Sequence, residues 1–88
     1  MIYRSTLPLA YDEDGVFFLD AVLETSTHDP MNPDRKHFPR MVVRVFYQLR
    51  GAMDYVEALT PSDEAIRALP AVMEVAAKEI GTMMEAHE

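Results

Sequence analysis

DRKHFPRMVVRVFYQLRGAMDYVEAL, residues 34–59, is the stretch on which the fold of this chain turns. Phe38, Val42, Val45, Phe46, Leu49, Ala52, Met53, Val56 and Leu59 recur at spacings of three and four, the period of one helical face. Pro39 suits the first turn of a helix, where its missing N–H costs nothing. The spacing therefore predicts a helix over 38–59 with that stripe in the core. At about 100° per residue, the opposite face carries Arg40, Arg44, Tyr47, Gly51, Asp54, Tyr55 and Ala58. The competing assignment for residues 40–50 is a third strand. It would set Met41, Val43, Val45, Tyr47 and Leu49 against Arg40, Arg44, Gln48 and Arg50, and the β-branched content supports it. The helix is preferred because the spacing runs unbroken to Leu59, far beyond an ordinary strand.

Upstream, IYRSTLPLAY and GVFFLDAVLE are apolar, aromatic-rich runs joined by Asp12-Glu13-Asp14-Gly15, which predicts a β-hairpin with Gly15 supplying a positive φ in the turn. Phe17, Leu19, Ala21 and Leu23 would face the core, with Phe18, Asp20, Val22 and Glu24 opposite and the two carboxylates near water. Pro8 cannot donate to a ladder, so the first strand should lie at an edge or bulge there. Residues 25–38 hold Asp29-Pro30 and Asn32-Pro33 and suggest a long irregular connection. His28, Asp29 and His37 match no metal-ligand spacing, so no metal site is assigned.

Downstream, Thr60-Pro61-Ser62-Asp63-Glu64 starts a helix, with Thr60 as the cap and Pro61 at the first helical position. Ile66, Leu69, Met73, Ala76, Ala77, Ile80, Met83 and Met84 form its apolar stripe. Pro70 should kink or split it, because the ring crowds the Ile66 carbonyl. The expected fold is a single α+β domain over 1–88: an N-terminal β-hairpin covered by two helices, about 38–59 and 61–86. The alternative is a three-stranded antiparallel sheet with a C-terminal helix.

Charge follows an acid, base, acid pattern. Residues 35–50 carry Arg35, Lys36, Arg40, Arg44 and Arg50 with no acid, in a chain whose net charge is −7. That acidity argues against non-specific nucleic-acid binding, which needs phosphates neutralised by Lys and Arg, and mimicry of nucleic acid ranks last because the basic block interrupts the acids. No cysteine is present, so there is no disulfide framework and no thiolate metal site. No apolar stretch is long enough to span a bilayer and no signal-like start is seen, which reads as a cytoplasmic protein without a membrane role.

No phosphate loop, activated nucleophile or sheltered pair of carboxylates appears, so a non-enzymatic role without cofactor is expected. The second face of the predicted helix, with Arg40, Arg44, Tyr47, Gly51 and Tyr55, has the composition of an interface. It points to a small acidic protein-binding module that self-associates as a homo-oligomer and acts as an adaptor or as an inhibitor of a partner protein. The alternative is a small-molecule binding protein that holds a phosphate-bearing, nucleotide-like anion at Arg35, Lys36, His37, Arg40 and Arg44, near a helix N-terminus.

Overall fold

A computed structural model describes residues 1–25, 28–29, 32–36 and 39–87, and the side chains of those outside 26–38. The architecture is α+β. Strands β1 (Ile2–Tyr11), β2 (Gly15–Glu24), β5 (Arg40–Leu49) and β6 (Val56–Glu57) form one antiparallel sheet in the order β1-β2-β5-β6, and a single helix α1 (Asp63–Ala86) packs on one side of it. A separate short pair, β3 (His28–Asp29) with β4 (Asn32–Lys36), occupies the connection expected to be irregular. Its His28–Lys36 pair keeps the register of Glu24–Arg40, four residues further along each strand.

The helix expected over 38–59 is not formed, and the hairpin is not covered by two helices. Residues 40–49 are a strand paired along its whole length with β2, from Gly15–Leu49 to Glu24–Arg40. The alternative, a three-stranded antiparallel sheet with a C-terminal helix, describes the centre of the molecule. Val42, Val43 and Val45 suit a pleated strand, and Gly51, at φ 80°, ends the run in a turn closed by Ala52 N–H donating to the Leu49 carbonyl at 3.0 Å. The apolar residues beyond the turn that completed the helical period do not share a core: Met53 is 93% exposed and Leu59 87%.

The hairpin of β1 and β2 forms as expected. β1 is an edge strand, and its register slips between Pro8 and Ala10, where proline cannot join the ladder. Gly15 has no positive φ; glycine is needed there because a Cβ would collide with the Gln48 carbonyl of β5.

The core lies between α1 and the first two strands. Tyr3, Leu19, Ala21, Ala76 and Ile80 are buried together, flanked by Leu7, Leu9, Leu23, Leu69 and Val72. Alanines at 65 and 76 let the helix approach the sheet closely. Ser62, rather than Thr60, caps the helix by accepting from the Ala65 N–H at 3.2 Å, and Asp63 and Glu64 complement the dipole in the first turn. Pro70 neither splits the helix nor ends it. It sits on the exposed side of the helix, and its missing N–H leaves the Ile66 carbonyl without an intrahelical donor.

α1 contacts β1 and β2 but not β5. The helix side of β5 is thus uncovered, with Met41 44% and Val43 37% exposed. The radius of gyration is 15.7 Å, against about 12 Å for a compact chain of this length, so the molecule is elongated. Among the described residues, no helix is long and apolar enough to cross a membrane.

Candidate functional site

Alternation along the strands places two sets of residues on opposite faces of the sheet. Phe17, Leu19, Ala21 and Leu23 face α1, in register with Tyr47, Val45, Val43 and Met41 of β5. The other face carries no helix. Across it run the rows Thr6–Asp20–Arg44, Arg4–Val22–Val42, Pro8–Phe18–Phe46 and Ile2–Glu24–Arg40.

Asp20 is the fixed point of this helix-free face. Only 8% of it is exposed, and its Oδ1 accepts from the Thr6 hydroxyl at 2.9 Å and meets Arg4 Nε at 3.3 Å. This burial corrects the expectation that the carboxylate lies near water, whereas Glu24 is exposed as expected. Two cross-strand neighbours, Arg4 and Arg44, flank the same carboxylate row, and only Arg4 is bound to it. Among the described residues, neither Arg40 nor Arg44 has an ion-pair partner within 4.0 Å.

Next to this charged strip lies an apolar hollow walled by Phe18, Phe46 and Tyr55, with Thr6, Asp20 and Gln48 at its margin. The loop after β5 builds the hollow. Gly51 turns the chain, Gln48 Nε2 donates to the Ala52 carbonyl at 2.7 Å, and β6 returns alongside Tyr47 and Phe46. The Tyr55 ring is thereby set edge-on to Phe46, centroids 5.3 Å apart and planes at 75°.

Of the residues singled out from sequence, Arg40 and Arg44 line one groove on the helix-free face and Tyr55 lines the separate aromatic hollow on the same face. Tyr47 lies on the opposite face, packed against Phe17 at 4.6 Å between centroids, with its hydroxyl on Asp12. Gly51 is a turn residue, not a small position for the approach of a second helix. Both misplacements follow from strand geometry, where neighbours in sequence point to opposite sides. Arg4, Phe18, Asp20 and Phe46 were not singled out, although alternation along 40–49 puts Phe46 beside Arg44.

The anion reading loses its helix N-terminus, because residues 39–40 enter a strand. Arg35 and Lys36 belong to β4, with side chains outside the described set, and His37 lies outside the described residues, as does the metal question where it touches that position. A groove bounded by Arg4, Arg40 and Arg44 is also lined by Asp20 and Glu24. Two carboxylates there oppose a phosphate. No family model, curated protein or solved structure matches this chain.

Proposed function

We propose that the chain is a small non-enzymatic protein-binding module, an adaptor or an inhibitor, whose partner rests on the helix-free face at Arg40, Arg44 and Tyr55. One observation carries this reading: an aromatic hollow and a strip of arginines lie on the same sheet face, the one that the helix does not cover. Aromatic residues and Arg are the types enriched where interfaces hold most of their energy. The cytoplasm suits such a module, since the chain has no cysteine to protect.

The test is an affinity capture from the source cell, run in parallel with Arg44→Ala and Tyr55→Ala. Both side chains are exposed, so the fold should survive their truncation. Loss of the same partner from both variants, with unchanged melting temperature, supports the assignment; retention by both removes it.

A second reading, self-association, is favoured by the opposite face. Met41 and Val43 of β5 are uncovered there, and Ile66, Met73 and Met84 form an exposed apolar flank on α1. A two-fold pairing that lays the helix of one copy over β5 of the other would bury both surfaces. Light scattering should then give a dimer mass that Val43→Asp reduces to a monomer, whereas a monomeric wild-type protein excludes it.

A further inference from the structure

The outer edge of β5 is open over part of its length. β6 pairs with Phe46 and Tyr47, and the Ala58 N–H donates to the Val45 carbonyl at 2.8 Å, after which the chain leaves for the helix cap at Ser62. The backbone groups of Val45 thus point outward, and by alternation so do those of Val43 and Met41. Among the described residues, no partner strand or backbone hydrogen bond is found on the outer side of Val43 and Met41.

The side chains around that edge specify what fits it. On its inner edge, Arg40-Met41-Val42-Val43-Arg44 is already paired with Asp20-Ala21-Val22-Leu23-Glu24. Glu24 stands opposite Arg40, Asp20 opposite Arg44, and three apolar pairs lie between. A strand shows the same side chains to both of its neighbours, so the outer edge has the same complement: acid, three apolar residues, acid. The inner carboxylates do not satisfy the arginines, since Asp20 is engaged by Arg4 and Thr6 and Glu24 forms no ion pair within 4.0 Å among the described residues.

A second copy does not supply this complement. Antiparallel pairing of two β5 edges about Val42 would put Arg40 opposite Arg44 at both ends, and like charges directly opposed destabilise a strand pair. The free edge of β1 has no carboxylate from Ile2 to Tyr11, and Pro8 interrupts it. β2, which has the right sequence, is enclosed between two strands.

We propose that the β5 edge at residues 40–44 binds, by antiparallel strand addition, an extended segment of another protein that carries carboxylates four residues apart with apolar residues between. Main-chain bonds to Met41 and Val43 hold the segment, and Arg40 and Arg44 select it. This deepens the protein-binding reading and rests on it, but it places the contact at the strand edge rather than on the aromatic hollow.

The experiment titrates the full chain with an end-capped peptide containing Asp-Ala-Val-Leu-Glu and follows backbone amides by NMR. The Met41 and Val43 amides should shift, and R40E/R44E should weaken binding at least tenfold while accepting a peptide with Lys at both charged positions. N-methylation of the peptide's Ala and Leu should abolish binding. Unchanged binding after N-methylation overturns strand addition while leaving face binding intact. No shift at millimolar peptide, equal binding by R40E/R44E, stronger displacement of the same amides by a single-stranded oligonucleotide, or protection of those amides by concentration-dependent self-pairing also overturns it.

Discussion

The Tyr47 hydroxyl donates a 2.9 Å hydrogen bond to the Asp12 carboxylate, and so joins the turn between β1 and β2 to the third strand of the sheet. The same Oδ1 accepts from the Asp14 N–H at 2.9 Å and the Gly15 N–H at 2.6 Å. Arg50 N–H adds a 2.7 Å bond to the Asp14 carbonyl. The acidic turn is therefore a clamp between β2 and β5, and not an arm free to answer the arginines at the other end of the strand.

The clamp makes stability depend on pH at both ends of the scale. The Tyr47 hydroxyl holds the Asp12 carboxyl below its ordinary range, against an opposing loss of solvation, with help from the Gly15 and Asp14 N–H groups. Tyr47 is itself pushed up, first by desolvation and then by the hydrogen bond to Asp12. A lowered carboxylate stabilises the fold above its ordinary pKa, and that contribution is lost as pH falls through the lowered value. A raised tyrosine stabilises below about pH 10, and its contribution is lost as pH rises through the raised value. Tyr47→Phe should be less stable than wild type in urea at pH 7. The deficit should narrow in acid and above about pH 10; a deficit of constant size across the whole range would assign the loss to packing alone.

Gly15 is the second member of the clamp. An added Cβ would meet the Gln48 carbonyl and lie 2.9 Å from the Tyr47 hydroxyl oxygen, so the backbones of β2 and β5 must separate to admit it. Gly15→Ala should cost about 1–3 kcal/mol in urea unfolding, in the range of overpacked sites. It should also weaken the pH response of Tyr47. A variant as stable as wild type would show that the two strands are not in such close approach.

What the sequence revealed, and what it hid, has a common cause in the third strand. The first hairpin was legible because its two runs alternate around an acidic turn, and the last helix because its apolar stripe starts at a cap. Residues 40–49 were ambiguous because the strand is half-buried on both faces. Phe46 and Val42 are partly covered on one side, Val45 and Tyr47 on the other, and the resulting near-continuous apolar run satisfies periods of two and of three to four alike. The helical period then ran on through Ala52, Met53, Val56 and Leu59, which lie exposed in the turn after β5, in the short edge strand β6 and in the connection to the helix rather than in a core. Arg40, Arg44 and Tyr55 were found for their residue types. Their aromatic companions Phe18 and Phe46 needed the strand register to be seen.

Pro70 gives a prediction of the opposite sign. It lies inside α1 on the solvent side and deprives the Ile66 carbonyl of an intrahelical donor. Proline in a helix interior is about 3 kcal/mol less favourable than alanine. Pro70→Ala should therefore stabilise the fold, by up to about 3 kcal/mol, read as a higher urea midpoint at unchanged slope. A loss of stability would mean that the ring has packing partners that alanine cannot replace.

The one-sided cover of the sheet predicts unequal costs for truncations on the same face. Leu19 is fully buried beneath α1, between Leu7 of β1 and Val45 of β5. Leu19→Ala removes a side chain from a packed site and should cost about 3–5 kcal/mol. Val43 stands one strand away on the same face and 37% exposed, and α1 does not reach it. Val43→Ala leaves no enclosed cavity in one copy and should cost less than about 1 kcal/mol, the behaviour of a surface position. Dilution separates the remaining possibility: if a second copy covers β5, the Val43→Ala cost grows with protein concentration while the Leu19→Ala cost does not, because only the former then lies in an interface. Equal costs at high dilution would place the core under β5 as well as under β1 and β2, contrary to the packing described.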